Sequence, residues 1–179
     1  MERAAIYTNS MQAADYLARC ASLDVHICGG IIRSSTGTII GTEAYNFFNS
    51  INVDYAFISC DAIDEDGEVY SDNVAVATAE SAILHNAVHK YVLCDSTKLG
   101  KKSVAHIYNL KNCDALITGK NDTLATEALA CICNIFFRLT LCLFSFRRVH
   151  GVLKGIKKYF SSKKCIISAI LLFLSRLYI

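Results

Sequence analysis

Proline is absent from all 179 residues, where average usage would give roughly nine. No proline-rich linker therefore divides the chain, and its turns have to be marked by Gly, Asn, Asp and Ser. A spanning helix needs about 20 apolar residues, and neither greasy block of the tail supplies them cleanly. Ile132–Phe146 is interrupted by Arg138, and Cys165–Leu174 is a short run with Ser168 inside it. Met1-Glu2-Arg3 leads into polar Thr8-Asn9-Ser10 without the apolar core of a cleavable signal peptide. The nine cysteines are odd in number and irregular in spacing, so reduced thiols in a cytoplasmic protein are expected. Cys28, Cys60 and Cys94 fall in or at the end of apolar runs, where cysteine behaves as a small hydrophobe.

Metal patterns are lacking too. Aligning Asp64, Asp66 and Gly67 to a calcium-binding EF-hand loop puts Ala62 at the first ligand and Asn73 at the bidentate acid, and both should be acidic. His85 and His89 are one helical turn apart, but Asn86 follows the first His where a metalloprotease needs Glu. Both histidines read as helix-end residues favoured by the helix dipole. Cys131 and Cys133 have no second pair at zinc spacing. No metal or cofactor is expected, and no Walker or dinucleotide-binding glycine pattern occurs.

What is present is an alternation of short apolar runs with amphipathic stretches. Ala4–Tyr7, Val25–Cys28, Tyr55–Cys60, Tyr91–Cys94 and Asp114–Thr118 each end in a polar turn, as strands buried on both faces do. Between them lie three helical patterns. Met11–Arg19 is capped by Asn9 or Ser10. Glu43–Asn49 has Thr42 as its cap. The third runs from Asn73 to Asn86, capped by Asp72 or Asn73, with a stripe of Val76, Ala79, Ile83 and Ala87. Ile31–Ile40 and His106–Leu110 are ambiguous, and Val69-Tyr70 is at most a brief strand. Strand, helix, strand is the grammar of an α/β fold with a parallel sheet flanked by helices. Such a sheet carries its ligand at the carboxyl ends of its strands, which places Asp61, Asp64, Asp95 and Lys98 on one rim. A lysine there can reach a bound anion. Gly29-Gly30 after a strand lets a phosphate approach backbone N–H groups, or simply makes a turn.

Charge divides the chain near Thr118. Residues 1–118 carry 8 Lys+Arg against 14 Asp+Glu, whereas residues 119–179 carry 10 against 2. The second part, basic and apolar, has the composition of an interfacial segment.

Six blocks fall in an order shared with a known family: Tyr7-Thr8-Asn9-Ser10; Cys28-Gly29-Gly30-Ile31-Ile32-Arg33; Gly41 ahead of Glu43-Ala44; Val53-Asp54-Tyr55-Ala56-Phe57-Ile58; Asp61-Ala62-Ile63-Asp64 with Gly67; and Asp95-Ser96-Thr97-Lys98-Leu99-Gly100. Over roughly residues 4–118 the chain resembles the C-terminal sensor domain of the DeoR family of bacterial transcriptional repressors. The resemblance implies a fold like that of ribose-5-phosphate isomerase and glucosamine-6-phosphate deaminase, which binds a phosphorylated sugar and adjusts the grip of a winged helix-turn-helix on DNA. It implies that Thr8 and Asn9 line the pocket, that Gly29 and Gly30 border it, that Asp61 or Asp64 belongs to its acidic loop, and that Lys98 contacts the ligand.

Departures from the family set further expectations. No helix-turn-helix precedes residue 1, so no direct DNA contact is expected from this chain. The family's first strand and its Asp-Ser-Gly-Thr-Thr-like phosphate loop have no counterpart, so the sheet is expected to be incomplete, with two strand edges open, and ligand binding to be weakened. Residues 119–179 are expected to form a separate tail, foreign or frameshifted. The reading is a non-enzymatic, N-terminally truncated sensor domain. Its partners are a phosphorylated sugar, and a second copy or an intact repressor. Two alternatives are a sugar-phosphate isomerase or deaminase using Asp61 or Asp64 as base, and a membrane-associated protein held by residues 130–179.

Overall fold

The computed structural model describes residues 4–118 together with two short strands, 135–137 and 165–167. The remainder of the tail, including the basic stretch 152–160 and most of the segment considered for a membrane, lies outside the described residues. Among the described residues no helix is long and apolar enough to cross a membrane.

The five apolar runs form strands of one parallel sheet: β1 (Ala4–Thr8), β2 (Leu23–Ile27), β5 (Val53–Ser59), β8 (Ala87–Cys94) and β10 (Ala115–Thr118). Two strands from beyond residue 118 join them, β11 (Ile135–Phe137) at one edge and β12 (Cys165–Ile167) inside. The order is β11-β10-β8-β5-β12-β1-β2, and every neighbouring pair is parallel. β12 thus lies between β1 and β5. Cys165 is in register with Ile6 on one side and Tyr55 on the other, and Ile166 with Tyr7 and Ala56.

Three helices cover the sheet. In α1 (Met11–Ala18) the Ser10 side chain accepts from the Ala13 amide at 3.2 Å, and Ala13 and Leu17 are buried. Together with Ile6 they form a small core against which Tyr55 and Phe57 pack. α2 (Thr42–Asn49) starts without the expected Thr42 cap: Thr42 is its first helical residue and Gly41 its N-cap, at φ 111° and with no side-chain cap bond. α3 (Val74–His85) is capped by Asn73, whose Oδ1 accepts from the Ala75 and Val76 amides. Its buried residues are Ala77, Ala79, Glu80, Ala82, Ile83 and Leu84, a much wider face than a single stripe. These pack with Phe48, Ala56, Ile58 and Val92 in the main core.

The ambiguous stretches form two small antiparallel sheets. β3 (Ile31–Arg33) and β4 (Thr38–Ile40) make a hairpin. β6 (Ala62–Ile63), β7 (Glu68–Ser71) and β9 (Ala105–Asn109) make a three-stranded sheet beyond the carboxyl end of β5. One helix-end assignment is corrected. His85 ends α3, but His89 lies in β8, because the helix stops at Asn86. There His89 stacks on Tyr55 with ring centroids 5.0 Å apart, and its Nδ1 is 3.2 Å from Asp114.

Candidate functional site

Because the strands run parallel, the carboxyl ends of β1, β5 and β8 lie along one edge. β1 and β5 are two inter-strand spacings apart, about 10 Å, so the edge has two halves.

The half above β5 and β8 is a connected set of charges. A short turn, Ser96–Lys98, follows β8, its first N–H groups held by the Asp95 side chain, which accepts from the Thr97 amide at 2.8 Å. The turn directs Lys98 across the strand ends. Its Nζ donates to the Cys60 carbonyl at 2.5 Å and stands 3.7 Å from Asp61 Oδ1. Asp61 Oδ2 accepts from the Ser71 hydroxyl and the Asp72 amide, both at 3.0 Å. Asp72 in turn accepts from Arg33 Nη1 and Nη2 at 3.2 and 3.3 Å, which keeps the guanidinium charged. Lys98 and Arg33 thus flank the two carboxylates Asp61 and Asp72 along the edge.

Asp64 has a different position. It is 4% exposed, and its Oδ1 accepts from the Asp66 and Glu68 amides at 3.1 and 2.9 Å. Its Oδ2 accepts from the Tyr70 hydroxyl at 3.0 Å and lies 3.4 Å from Lys102 Nζ. Burial opposes its charge, but the Glu68 amide, the Tyr70 hydroxyl and Lys102 outweigh burial and hold the carboxyl below its ordinary range. These partners tie the β6–β7 turn shut.

Beneath the charged half sits Glu80, 5% exposed. Burial pushes its carboxyl well up, the negative charges of Asp61 and Asp72 push further, and Lys98 only partly offsets them. Two buried thiols are held protonated. Cys60 is raised by its hydrogen bond to Cys94 and by burial, and Cys28 is pushed by burial up to about 11. Among the described residues no group of three or more His, Cys, Asp or Glu could hold a metal ion.

The half above β1 and β2 is the opposite in character. Thr8 is fully buried and its Oγ1 accepts from the Ser10 amide at 3.0 Å. Asn9 is 1% exposed, and its backbone carbonyl accepts from the Ile39 amide at 2.7 Å. Neither Oδ1 nor Nδ2 of Asn9 has a hydrogen-bond partner among the described residues. Buried polar side chains are ordinarily paired, and an unpaired one costs about 1–3 kcal/mol. Gly29 and Gly30, both exposed, follow Cys28 beyond β2. Gly30 has φ 134°, and a Cβ there would meet the Ile40 carbonyl oxygen at 2.5 Å, so the close approach of hairpin and loop requires glycine.

The residues expected at the site are Thr8, Asn9, Gly29, Gly30, Asp61, Asp64 and Lys98. All sit at or just beyond strand ends, but Asp64 is engaged by the β6–β7 turn and its neighbour Lys102. Arg33, Ser71, Asp72 and Glu80 were missed. Glu80 carried a signal: it is the only Asp, Glu, Lys or Arg between Val74 and His85, with no partner one turn away on its own helix.

The family model of the DeoR C-terminal sensor domain matches residues 1–120. The chain belongs to that family. Relatives of this sensor domain include the glycerol-3-phosphate regulon repressor of Haemophilus influenzae, 27% identical over 118 residues, 66% of this chain and 46% of that protein. The transcriptional repressor CsqR of Escherichia coli is 30% identical over 113 residues, 63% of this chain and 43% of its own length. The lactose phosphotransferase system repressor of Streptococcus mutans is 29% identical over 119 residues, 65% of this chain and 47% of that protein. The chain spans about half the length of the curated relatives it matches. The α/β architecture, with its parallel sheet flanked by helices, is the one expected of a DeoR-type sensor domain.

Proposed function

We propose that residues 4–118 form the effector-binding part of a bacterial transcriptional regulator of carbohydrate metabolism, and that the effector is a phosphorylated sugar or polyol. The names of the relatives support that class, since they include repressors of a glycerol-3-phosphate regulon and of a lactose phosphotransferase system. The observation that carries the reading is Asn9: a buried amide at the end of β1 whose donor and acceptor have no partner among the described residues. A sugar hydroxyl satisfies both at once. Lys98 and Arg33 supply positive charge for the phosphate, and the exposed Gly29-Gly30 backbone offers close approach without side chains.

The domain binds without turnover. A general base has to be free to take a proton. Asp64 is held by four donors, and Asp61 already accepts from Ser71 and Asp72 beside Lys98. The bound effector then adjusts the grip of a helix-turn-helix on DNA, in the cytoplasm.

Isothermal titration calorimetry of the full chain with glycerol 3-phosphate, fructose 1-phosphate and unphosphorylated fructose tests this reading. Saturable heat from at least one phosphorylated compound and none from fructose is expected. Equal binding of fructose, or a new phosphorus signal revealing turnover, contradicts it.

A further inference from the structure

β1 and β5 are the two central strands of the sheet's halves, yet they do not pair with each other. The gap between them is one strand wide and closed on both faces. Towards α1 it is walled by Ile6, Tyr55 and Phe57, packed with Ala13 and Leu17. Towards α2 and α3 it is walled by Tyr7, Ala56 and Ile58 of the main core. A strand entering the gap has to be apolar on both faces and run parallel to its neighbours. Its backbone then finds ladder partners on two sides, while an empty gap leaves two buried rows of N–H and C=O groups unpaired.

Cys165-Ile166-Ile167 meets these demands, and the run stays apolar to Leu174 apart from Ser168. β12 covers only part of the opening, three residues against seven in β5 and five in β1. It is separated from β10 by 46 residues (119–164), so the rest of the sheet can form before it arrives.

We propose that the gap between β1 and β5 is a strand-binding slot whose occupant is this chain's own segment around Cys165–Ile167, held in cis and exchangeable. The slot takes a parallel apolar strand, and the tail is thereby part of the sensor sheet rather than an appendage. The proposal does not depend on which effector binds.

Hydrogen–deuterium exchange on the full chain tests it, comparing the wild type with Ile166→Pro. Proline removes a ladder N–H and does not sit inside a central strand. In the monomeric fraction of the wild type, amides of 4–8 and 53–59 are expected to be protected as well as those of 87–94. In Ile166→Pro the first two segments exchange at least about tenfold faster, while 87–94 and 115–118 change little. A labelled peptide of sequence 162–170 is expected to bind Ile166→Pro in a fluorescence anisotropy titration, and the same peptide with proline at 166 is not. If the variant does not fold, the wild-type protection pattern and slow uptake of excess labelled peptide by the wild type decide. Fast exchange of 4–8 and 53–59 in the wild type overturns the proposal. So does protection confined to a dimeric fraction, which assigns the slot to a second copy, and so does equal binding of the proline peptide.

Discussion

The two halves of the strand-end edge differ in how fully they are satisfied. Above β5 and β8 each charge is engaged: Lys98 with Cys60 and Asp61, Asp61 with Ser71 and Asp72, Asp72 with Arg33. Above β1 a buried amide has no hydrogen-bond partner among the described residues, beside two exposed glycines. A saturated network sets charge and shape in advance, so little reorganisation is needed when a ligand arrives. An unsatisfied buried amide carries a cost in the free protein that a ligand can remove. Under the proposed function the first half would prepare the field and the second would supply the specific contact. Asp61 and Asp64, both engaged, differ in what they hold. Asp61 lies in the network along the edge, whereas Asp64, three residues on, holds a turn.

Breaking the backbone of the unsatisfied half should have the largest effect. Gly30→Ala forces a Cβ against the Ile40 carbonyl at a positive φ. A loss of about 3 kcal/mol is expected from urea unfolding, larger than for the other changes here. Next is Asp64→Asn, which replaces a carboxylate held by the Glu68 and Asp66 amides, Tyr70 and Lys102. It should cost about 2 kcal/mol at neutral pH while leaving effector affinity within about threefold. Its folded-state pKa is lowered from the ordinary 3.8. Its contribution is therefore present above 3.8 and fades as pH falls below it, so wild type and variant should converge in acid unfolding curves.

Glu80 gives the opposite sign. Its carboxyl is raised well above the ordinary 4.5 by burial and by Asp61. The folded state binds the extra proton, so the group costs stability progressively as pH rises above 4.5. Glu80→Gln should raise stability by about 1 kcal/mol at pH 8 and change it little at pH 4, as thermal melts at the two pH values would show. The smallest stability effect is expected of Asn9→Ala, within about 0.5 kcal/mol by urea unfolding, because the lost packing is offset by removing an unpaired amide. Effector affinity in the same variant should fall by more than about tenfold, roughly 1.4 kcal/mol.

Tyr55–Cys60 and Tyr91–Cys94 were legible because a strand covered on both faces reads as an unbroken apolar run, whereas β2, at the sheet edge, has no buried residue in Leu23–Ile27. The partly exposed hairpin of Ile31–Arg33 and Thr38–Ile40 carries no such signature. Lys98 was legible as a strand-end cation. The engagement of Asp64 was not, because its donors Glu68, Tyr70 and Lys102 converge only when β7 folds back on β6. Glu80 was hidden by assuming one buried stripe on α3, whereas that helix packs against α2, β5 and β9. β12 was hidden for another reason: a ten-residue greasy run looks alike whether it enters a sheet or meets a lipid surface.

Nuclear magnetic resonance of the Asn9 side-chain amide tests the account most directly. Its two Nδ2 protons, assigned by their disappearance in Asn9→Ala, are followed while glycerol 3-phosphate or fructose 1-phosphate is added to the 15N-labelled full chain. The account predicts saturable shifts of these protons at the affinity measured by calorimetry, with the Asp66 and Glu68 backbone amides that bond Asp64 unmoved. A phosphorylated ligand that binds while the Asn9 amide stays unmoved, and the Asp66 and Glu68 amides shift instead, contradicts it.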